Sequence, residues 1–225
     1  MTVDAILAWL AGNGTPEGLA SMARYNIPGD NAFGIAMGDL KRKAKAIGRD
    51  HDLALALWDI GKYEARVLAA EIADPARLSE AVMDRWCADF DSWAICDHTC
   101  FVLFDRTPFA WAKVHEWAPR EAEFVRRAAY ALVWALSVHD KAAGDAAFEK
   151  ALALIEAAPE DARPLVKKAV DMALRAVGKR NANLNASARR TCAVLMDADT
   201  PARRWIGRHA LRELESAKVQ ERVNR

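Results

Sequence analysis

The stretch Val125-Arg126-Arg127-Ala128-Ala129-Tyr130-Ala131-Leu132 decides the fold, because similar segments recur along the chain. Two basic residues also enter an apolar helix in segments 166–174 and 202–208, at intervals of 41 and 36 residues. A degenerate copy stands at 64–69. A period of about 40 residues with two helices per unit is typical of HEAT-like α-solenoids, which bury their core by stacking repeats. We therefore predict an all-α solenoid with the repeated cations side by side along one concave groove.

The composition also favours helices. Of the 225 residues, 52% are hydrophobic and 28% are charged, which excludes a disordered chain. Glycine (11) and proline (8) are few, and no segment alternates with the period of two that strands show. We expect a single domain over residues 1–225, with a frayed tail at 215–225. Capping and turn signals predict about 12–13 helices, at 3–11, 16–24, 37–47, 50–60, 63–73, 78–88, 92–104, 109–117, 121–138, 143–157, 163–179, 184–196 and 201–214.

Positive charge is concentrated in the second half of the chain. The formal net charge is only +1, yet residues 163–212 hold 12 lysines and arginines and only three acidic residues. Lys168, Arg175 and Lys179 are spaced so that they share one helix face. Such a row can follow phosphates without reading sequence, which indicates a nucleic-acid partner. The alternative is an ordinary solvated face that happens to be rich in arginine.

Residues 89–104 contain a second candidate site. They predict a helix that is apolar almost all round, in which Asp97 follows Trp93 by four residues and shares its face. A carboxylate among core residues costs free energy unless it has a partner or a task. Two interpretations stay open. Asp97 is either a core acid paired with a neighbouring arginine, or a fixed negative charge that stabilises a positive centre beside the cationic groove.

The cysteines and the N-terminus indicate a cytoplasmic protein. The N-terminal segment has an acid where a signal peptide needs basic residues, and no apolar run approaches the ~20 residues of a membrane span. Cys96, His98 and Cys100 do not predict a zinc site, because on a helix His98 points away from the other two. We expect reduced core cysteines, at positions 87, 96, 100 and 192.

Several short fragments carry a family resemblance through their order and spacing. They are Phe33-Gly34-Ile35, Leu57-Trp58, Glu64-Ala65-Arg66, Asp89-Phe90-Asp91-Ser92-Trp93 with Asp97, Arg126-Arg127-Ala128-Ala129, Ala173-Leu174-Arg175 and Gly178-Lys179-Arg180-Asn181. With them, most of the chain resembles the bacterial DNA alkylation repair glycosylases of the AlkD type. The resemblance implies HEAT-like repeats around a basic DNA groove. It also implies hydrolysis of the glycosidic bond of N3- and N7-alkylated purines in double-stranded DNA, without base flipping.

The resemblance also implies site residues. The catalytic tryptophan, aspartate and arginine of the family map onto Trp93, Asp97 and Arg127, with Arg126 as the alternative for the arginine. Met172 stands where well-studied members have a tryptophan that contacts the DNA backbone. It keeps an apolar contact but lacks the indole N–H. Together with the cations of the repeats, the predicted DNA contacts are Arg126, Lys167, Lys168, Met172, Arg175, Lys179, Arg180, Arg203 and Arg204.

No metal or organic cofactor is implied, and the expected form is a monomer on the nucleoid. The rival class is a non-catalytic helical-repeat module that binds DNA or protein, because solenoid folds occur both in enzymes and in binding proteins. Asp97 discriminates between the two classes, because a carboxylate that faces a DNA groove repels phosphate and benefits only an enzyme.

Overall fold

The computed structural model describes residues 1–158 and 160–224, and over these residues it contains helices and no strand. The all-helical prediction is therefore confirmed. None of the helices in the described residues is long and apolar enough to cross a membrane. The chain forms two compact units, Met1–Thr107 and Pro108–Arg225.

The first unit, described in full, has seven α-helices. Side-chain caps start several of them: Thr15 accepts from the Gly18 amide, and Ser92, a cap that the sequence predicts, accepts from the Ile95 amide. A short 3-10 turn, Phe104–Arg106, closes the unit. The helices are α1 Val3–Asn13, α2 Pro16–Arg24, α3 Met37–Ile47, α4 His51–Asp59, α5 Tyr63–Ile72, α6 Glu80–Ala88 and α7 Trp93–Val102.

Helix α5 is the centre of the first unit. It packs against α3, α4 and α7, and most of its residues are buried. Trp58 of α4 and Trp86 of α6 are both fully buried and stack with ring centroids 4.0 Å apart. Large aromatic rings bury much apolar area, so this stack joins the two helices firmly.

The described part of the second unit also has seven α-helices. Proline at the first helical position starts α11 and α13, where its missing N–H is not needed. The helices are α8 Ala110–Trp117, α9 Glu123–His139, α10 Asp145–Glu156, α11 Pro164–Val177, α12 Ala182–Met196, α13 Pro201–Leu214 and α14 Ala217–Val223.

The repeated basic pairs lie on helices that are neighbours in space. Helix α11 packs between α9 and α13, while α12 packs against both α10 and α13. Helices α9, α11 and α13 therefore belong to three successive helical repeats, which stack on one another. This arrangement confirms the repeat interpretation for the second unit.

The prediction of a frayed tail at 215–225 is wrong for the residues that the structure describes. They include helix α14, which lies beyond the 12–13 predicted helices, and Arg225 is outside the described residues. Val219 is buried, and the Gln220 amide donates to the Leu214 carbonyl (2.7 Å) and to Asn185 Oδ1 (3.1 Å). These contacts hold a helix that local sequence alone would not stabilise, because short isolated helices are marginal in water.

Candidate functional site

Trp93 is the first residue of α7, and its indole is fixed in place. The Ser92 hydroxyl caps the helix, and Trp93 Nε1 donates a hydrogen bond to the Tyr25 carbonyl at 3.0 Å. Tyr25 directly follows α2. The indole is half-buried, with its N–H already engaged. A ring held in this way can serve as a rigid wall rather than as a hydrogen-bond donor.

Asp97 lies one helical turn after Trp93 and is half-buried. It is the only acidic residue in α7, and its neighbours Cys96 and Cys100 are fully buried. Burial raises the pKa of the Cys100 thiol well above its ordinary value. The helix thus holds one carboxylate beside an indole in largely apolar surroundings, as the sequence predicts.

His98 does not join the cysteines. Its Nε2 lies 3.2 Å from Glu71 Oε1 of α5, although the two atoms are not aligned as a hydrogen bond, and this imidazole lowers the pKa of Glu71. All four cysteines are buried and none forms a disulfide, as predicted.

The fragments that precede Trp93 are structural supports. Trp58 Nε1 donates to Asp89 Oδ2 at 2.9 Å, and Arg66 Nη1 donates to the Asp89 carbonyl at 2.8 Å. The Arg66 guanidinium also lies 5.3 Å from the Trp58 ring, within cation–π range. Together these contacts fix the chain that leads into α7, and so they fix the position of the Trp93 indole.

Glu64 has a role that the sequence analysis missed. It is fully buried and accepts three backbone hydrogen bonds, from Phe33 (2.9 Å), Gly34 (2.7 Å) and Ile35 (3.2 Å). Gly34 has φ +80°, which favours glycine. The carboxylate takes the place of water for three backbone amides, two of which belong to buried residues. The sequence feature that could have predicted this role is the position of a charged residue, Glu64, in a largely apolar helix.

In the second unit, Arg126 and Arg127 are buried and hydrogen-bonded. Arg126 Nη1 lies 2.5 Å from Asp161 Oδ2, and Arg127 Nη1 donates to the Leu165 carbonyl. Arg163 also binds Asp161. The hydrogen bond from Arg163 is the main cause that lowers the pKa of Asp161 to about 2. Burial opposes this shift, and the hydrogen bond from Arg126 adds to it. Both arginines of the first repeated pair therefore help to fix the start of α11.

The cations around the end of α11 converge on acidic partners. Arg175 Nε donates to Asp171 Oδ2 at 2.9 Å, and Arg175 and Lys179 both bind the Glu213 carboxylate. Burial opposes ionisation of Glu213, but the two cations lower its pKa to about 2. Lys179 lies just beyond the last residue of the helix, so this ion pair, rather than a shared helix face, brings it beside Arg175.

Most of the remaining predicted cations bind main-chain oxygens. Arg180 donates to the Ser137 and Ala143 carbonyls, Arg203 to the Glu156 carbonyl, and Arg204 to the Ala198 and Asp199 carbonyls. Burial lowers the pKa of Arg180. These cations help to join the repeats, and their positive charge is not cancelled by a carboxylate in those contacts.

Lys167, Lys168 and Met172 are placed differently. Lys167 Nζ lies 4.5 Å from the centre of the Trp205 ring, whereas Lys168 is exposed and Met172 is half-buried. Two exposed cations of α13, Arg208 and Arg212, were not predicted as DNA contacts. Their spacing of four residues was the signal that could have found them.

These features define the class of protein: a helical-repeat protein with a cation-rich second unit and a tryptophan–aspartate pair on one helix. The family model described as "DNA alkylation repair enzyme" matches residues 6–214, so the chain belongs to this family.

One solved structure has a similar fold. It belongs to a protein described under the words "a new family of proteins related to the HEAT-like repeat DNA glycosylases with affinity for branched DNA structures". The two folds agree with a TM-score of 0.76 at 22% sequence identity, over 99% of this chain and 96% of that chain. The fold of this protein is thus that of the HEAT-like repeat DNA glycosylases. A comparison with curated protein sequences gave no significant match.

Proposed function

We propose that the protein is a DNA glycosylase, acting as a monomer, that hydrolyses the glycosidic bond of cationic N3- and N7-alkylated purines in double-stranded DNA. The observation that carries the proposal is the half-buried Asp97, one turn from the fixed Trp93 indole in an otherwise largely apolar helix. Membership of the DNA alkylation repair enzyme family supports it.

The proposed chemistry needs little more than a well-placed negative charge. An alkylated purine that carries a positive charge is already a good leaving group, and positive charge moves to the sugar as the bond breaks. At ~4 Å, with an effective dielectric constant near 20, one charge pair contributes roughly 4 kcal/mol. This corresponds to about three decades in rate. Asp97 would stabilise the sugar cation and orient the attacking water.

Trp93 and Arg127 have supporting roles in this proposal. The π face of Trp93 attracts a cationic base or sugar. Arg127 is the proposed site arginine on its sequence position, and guanidinium groups bind phosphate with strong, charge-assisted hydrogen bonds. Arg126, which pairs with Asp161, is the alternative site arginine.

The decisive experiment measures release of free base from a duplex that carries one N7-methylguanine. We expect the wild type to release the base, and Asp97→Asn to bind the duplex normally and release the base about a thousandfold more slowly, because the amide keeps the shape and loses the charge. Asp4→Asn is the matched control, since it removes an exposed carboxylate of α1 and should leave release unchanged. Normal release by Asp97→Asn would contradict the assigned role.

A second candidate function is DNA binding without base excision. The description of the structural neighbour, which has affinity for branched DNA structures, favours it. In that case the wild type would bind a forked duplex more tightly than a linear one and release neither N7-methylguanine nor N3-methyladenine. The two lesions must both be tested, because Met172 in place of a tryptophan can alter lesion choice.

A further inference from the structure

Helix α13 carries a basic and aromatic surface that the proposed excision chemistry does not use. An open cleft of about 430 Å³ is lined by Pro201, Arg204, Trp205, Arg208, His209 and Arg212. Arg204, Arg208 and Arg212 are four residues apart, so they form one row along the helix. No carboxylate is among the residues that line this cleft.

The arginines of this cleft differ in their engagement. Arg204 donates to the Ala198 and Asp199 carbonyls. By contrast, Arg208 and Arg212 are exposed and form no ion pair or hydrogen bond with any residue that the structure describes. Uncompensated cations beside an open cleft attract anions, and paired guanidinium groups suit phosphate.

Beside these arginines stands a preassembled aromatic stack. The rings of Trp205 and His209 lie 4.7 Å apart and within 9° of parallel. The imidazole is held by Asp171, with His209 Nδ1 2.9 Å from Asp171 Oδ1, and Asp171 is itself bound by Arg175. Lys167 Nζ lies 4.5 Å from the Trp205 ring centre. The stack is thus fixed from beneath by α11.

The stack remains partly open to solvent. Trp205 is 36% exposed, and the His209 side chain is 43% exposed. A parallel pair of flat rings offers its exposed surface to another flat ring, and nucleobases stack on aromatic side chains in this manner.

We infer that the Trp205–His209 stack holds an unpaired nucleobase, with the flanking phosphates of the same strand on Arg208 and Arg212. A base within an intact duplex has both faces covered by its neighbours, so this subsite selects single-stranded or branched DNA. The inference rests on the proposed function in so far as both require DNA as the partner, and it adds a second contact that is separate from Asp97.

The test compares a labelled linear duplex with a forked duplex of the same sequence by fluorescence anisotropy. The wild type should prefer the fork. Trp205→Ala should weaken fork binding about tenfold, the loss typical of one stacked base, with less than a twofold effect on the linear duplex. Trp205→Phe should restore most of the preference, because phenylalanine also stacks. Abasic nucleotides at the branch should remove the wild-type preference.

Several results would overturn the inference: no fork preference in the wild type, equal losses on both substrates for Trp205→Ala, or a preference that survives abasic arms. Competition by poly-L-glutamate as effective as competition by single-stranded DNA would assign the cleft to acidic proteins instead. Base release from the N7-methylguanine duplex is scored separately. Failure of the glycosylase proposal and failure of this subsite therefore give different results.

Discussion

At the scale of single residues, Asp161 joins α9 to the start of α11 through ion pairs. Its carboxylate binds Arg126 of α9 and Arg163, the residue before α11, and only 7% of the side chain is exposed. Removing one partner from a buried ion pair leaves an uncompensated charge, which typically costs more than the pair contributes. Asp161 thereby sets the geometry at which the first two repeats of the second unit meet.

The Asp161 pKa predicts a pH dependence. The folded value is about 2, below the ordinary 3.8, so the stabilisation is complete above pH ~4 and is lost as the pH falls towards 2. The amount is about 2 kcal/mol. Urea unfolding of the wild type and Asp161→Asn should show a stability difference that shrinks over this range. A difference independent of pH would contradict the assignment.

The sequence could identify candidate side chains, but it could not supply their partners. Trp93 and Asp97 share one helix face, as their spacing requires. By contrast, Arg175 looked like a phosphate ligand, yet it binds Glu213, 38 residues away. Such a partner depends on how α11 and α13 pack. Glu64 was missed for the same reason, because its three amide donors lie about 30 residues earlier.

At the scale of elements, the close approach of α12 and α13 depends on Gly207. A Cβ atom there would lie 2.7 Å from the Cys192 carbonyl oxygen and 3.0 Å from the Met196 amide nitrogen. These are backbone atoms, so the helices would have to separate. The missing side chain is what allows the last two long helices to pack at this distance.

We therefore expect Gly207→Ala to lower the free energy of unfolding by about 1–3 kcal/mol, the usual cost of overpacking. Gly12→Ala is the matched control, because Gly12 also lies within a helix and a Cβ at that position meets nothing within 4 Å. Denaturant unfolding monitored by circular dichroism measures both variants. Equal effects of the two substitutions would show that the α12–α13 contact yields more easily than the structure indicates.

Helix boundaries were predictable wherever capping is local. Helices α2, α4 and α7 begin within one residue of their predicted starts, because their cap bonds reach only three residues along the chain. Helix α14 was not predictable, since its stability comes from tertiary contacts of Val219 and Gln220. The early end of α7 at Val102 was not predicted either, although the bond that stabilises the following 3-10 turn is local: the Thr107 hydroxyl donates to the Phe104 carbonyl.

At the scale of the whole molecule, the two units differ in the sign of their net charge. Met1–Thr107 contains 11 basic and 16 acidic residues, whereas Pro108–Arg225 contains 21 and 15. Non-specific affinity for DNA should therefore come from the second unit, through release of counterions from the phosphates. The first unit contributes the tryptophan–aspartate pair instead.

The dependence of DNA affinity on salt should report which cations contact phosphate. We expect Lys168→Ala to reduce the slope of log K against log [salt] by about one, because each lost phosphate contact has that effect. Arg175→Ala should change it less, since Arg175 is already paired with Asp171 and Glu213. Titrations at several salt concentrations test both variants. An unchanged slope for Lys168→Ala would place the binding face elsewhere.

The four buried cysteines have a practical consequence for such measurements. Each is at most 1% exposed. Thiol-reactive dyes should therefore leave the native protein unlabelled, and a single cysteine introduced at an exposed position such as Asn183 would be modified alone. A fluorophore can then be placed on the second unit without first replacing any native thiol, which opens the protein to single-molecule observation of its movement along DNA.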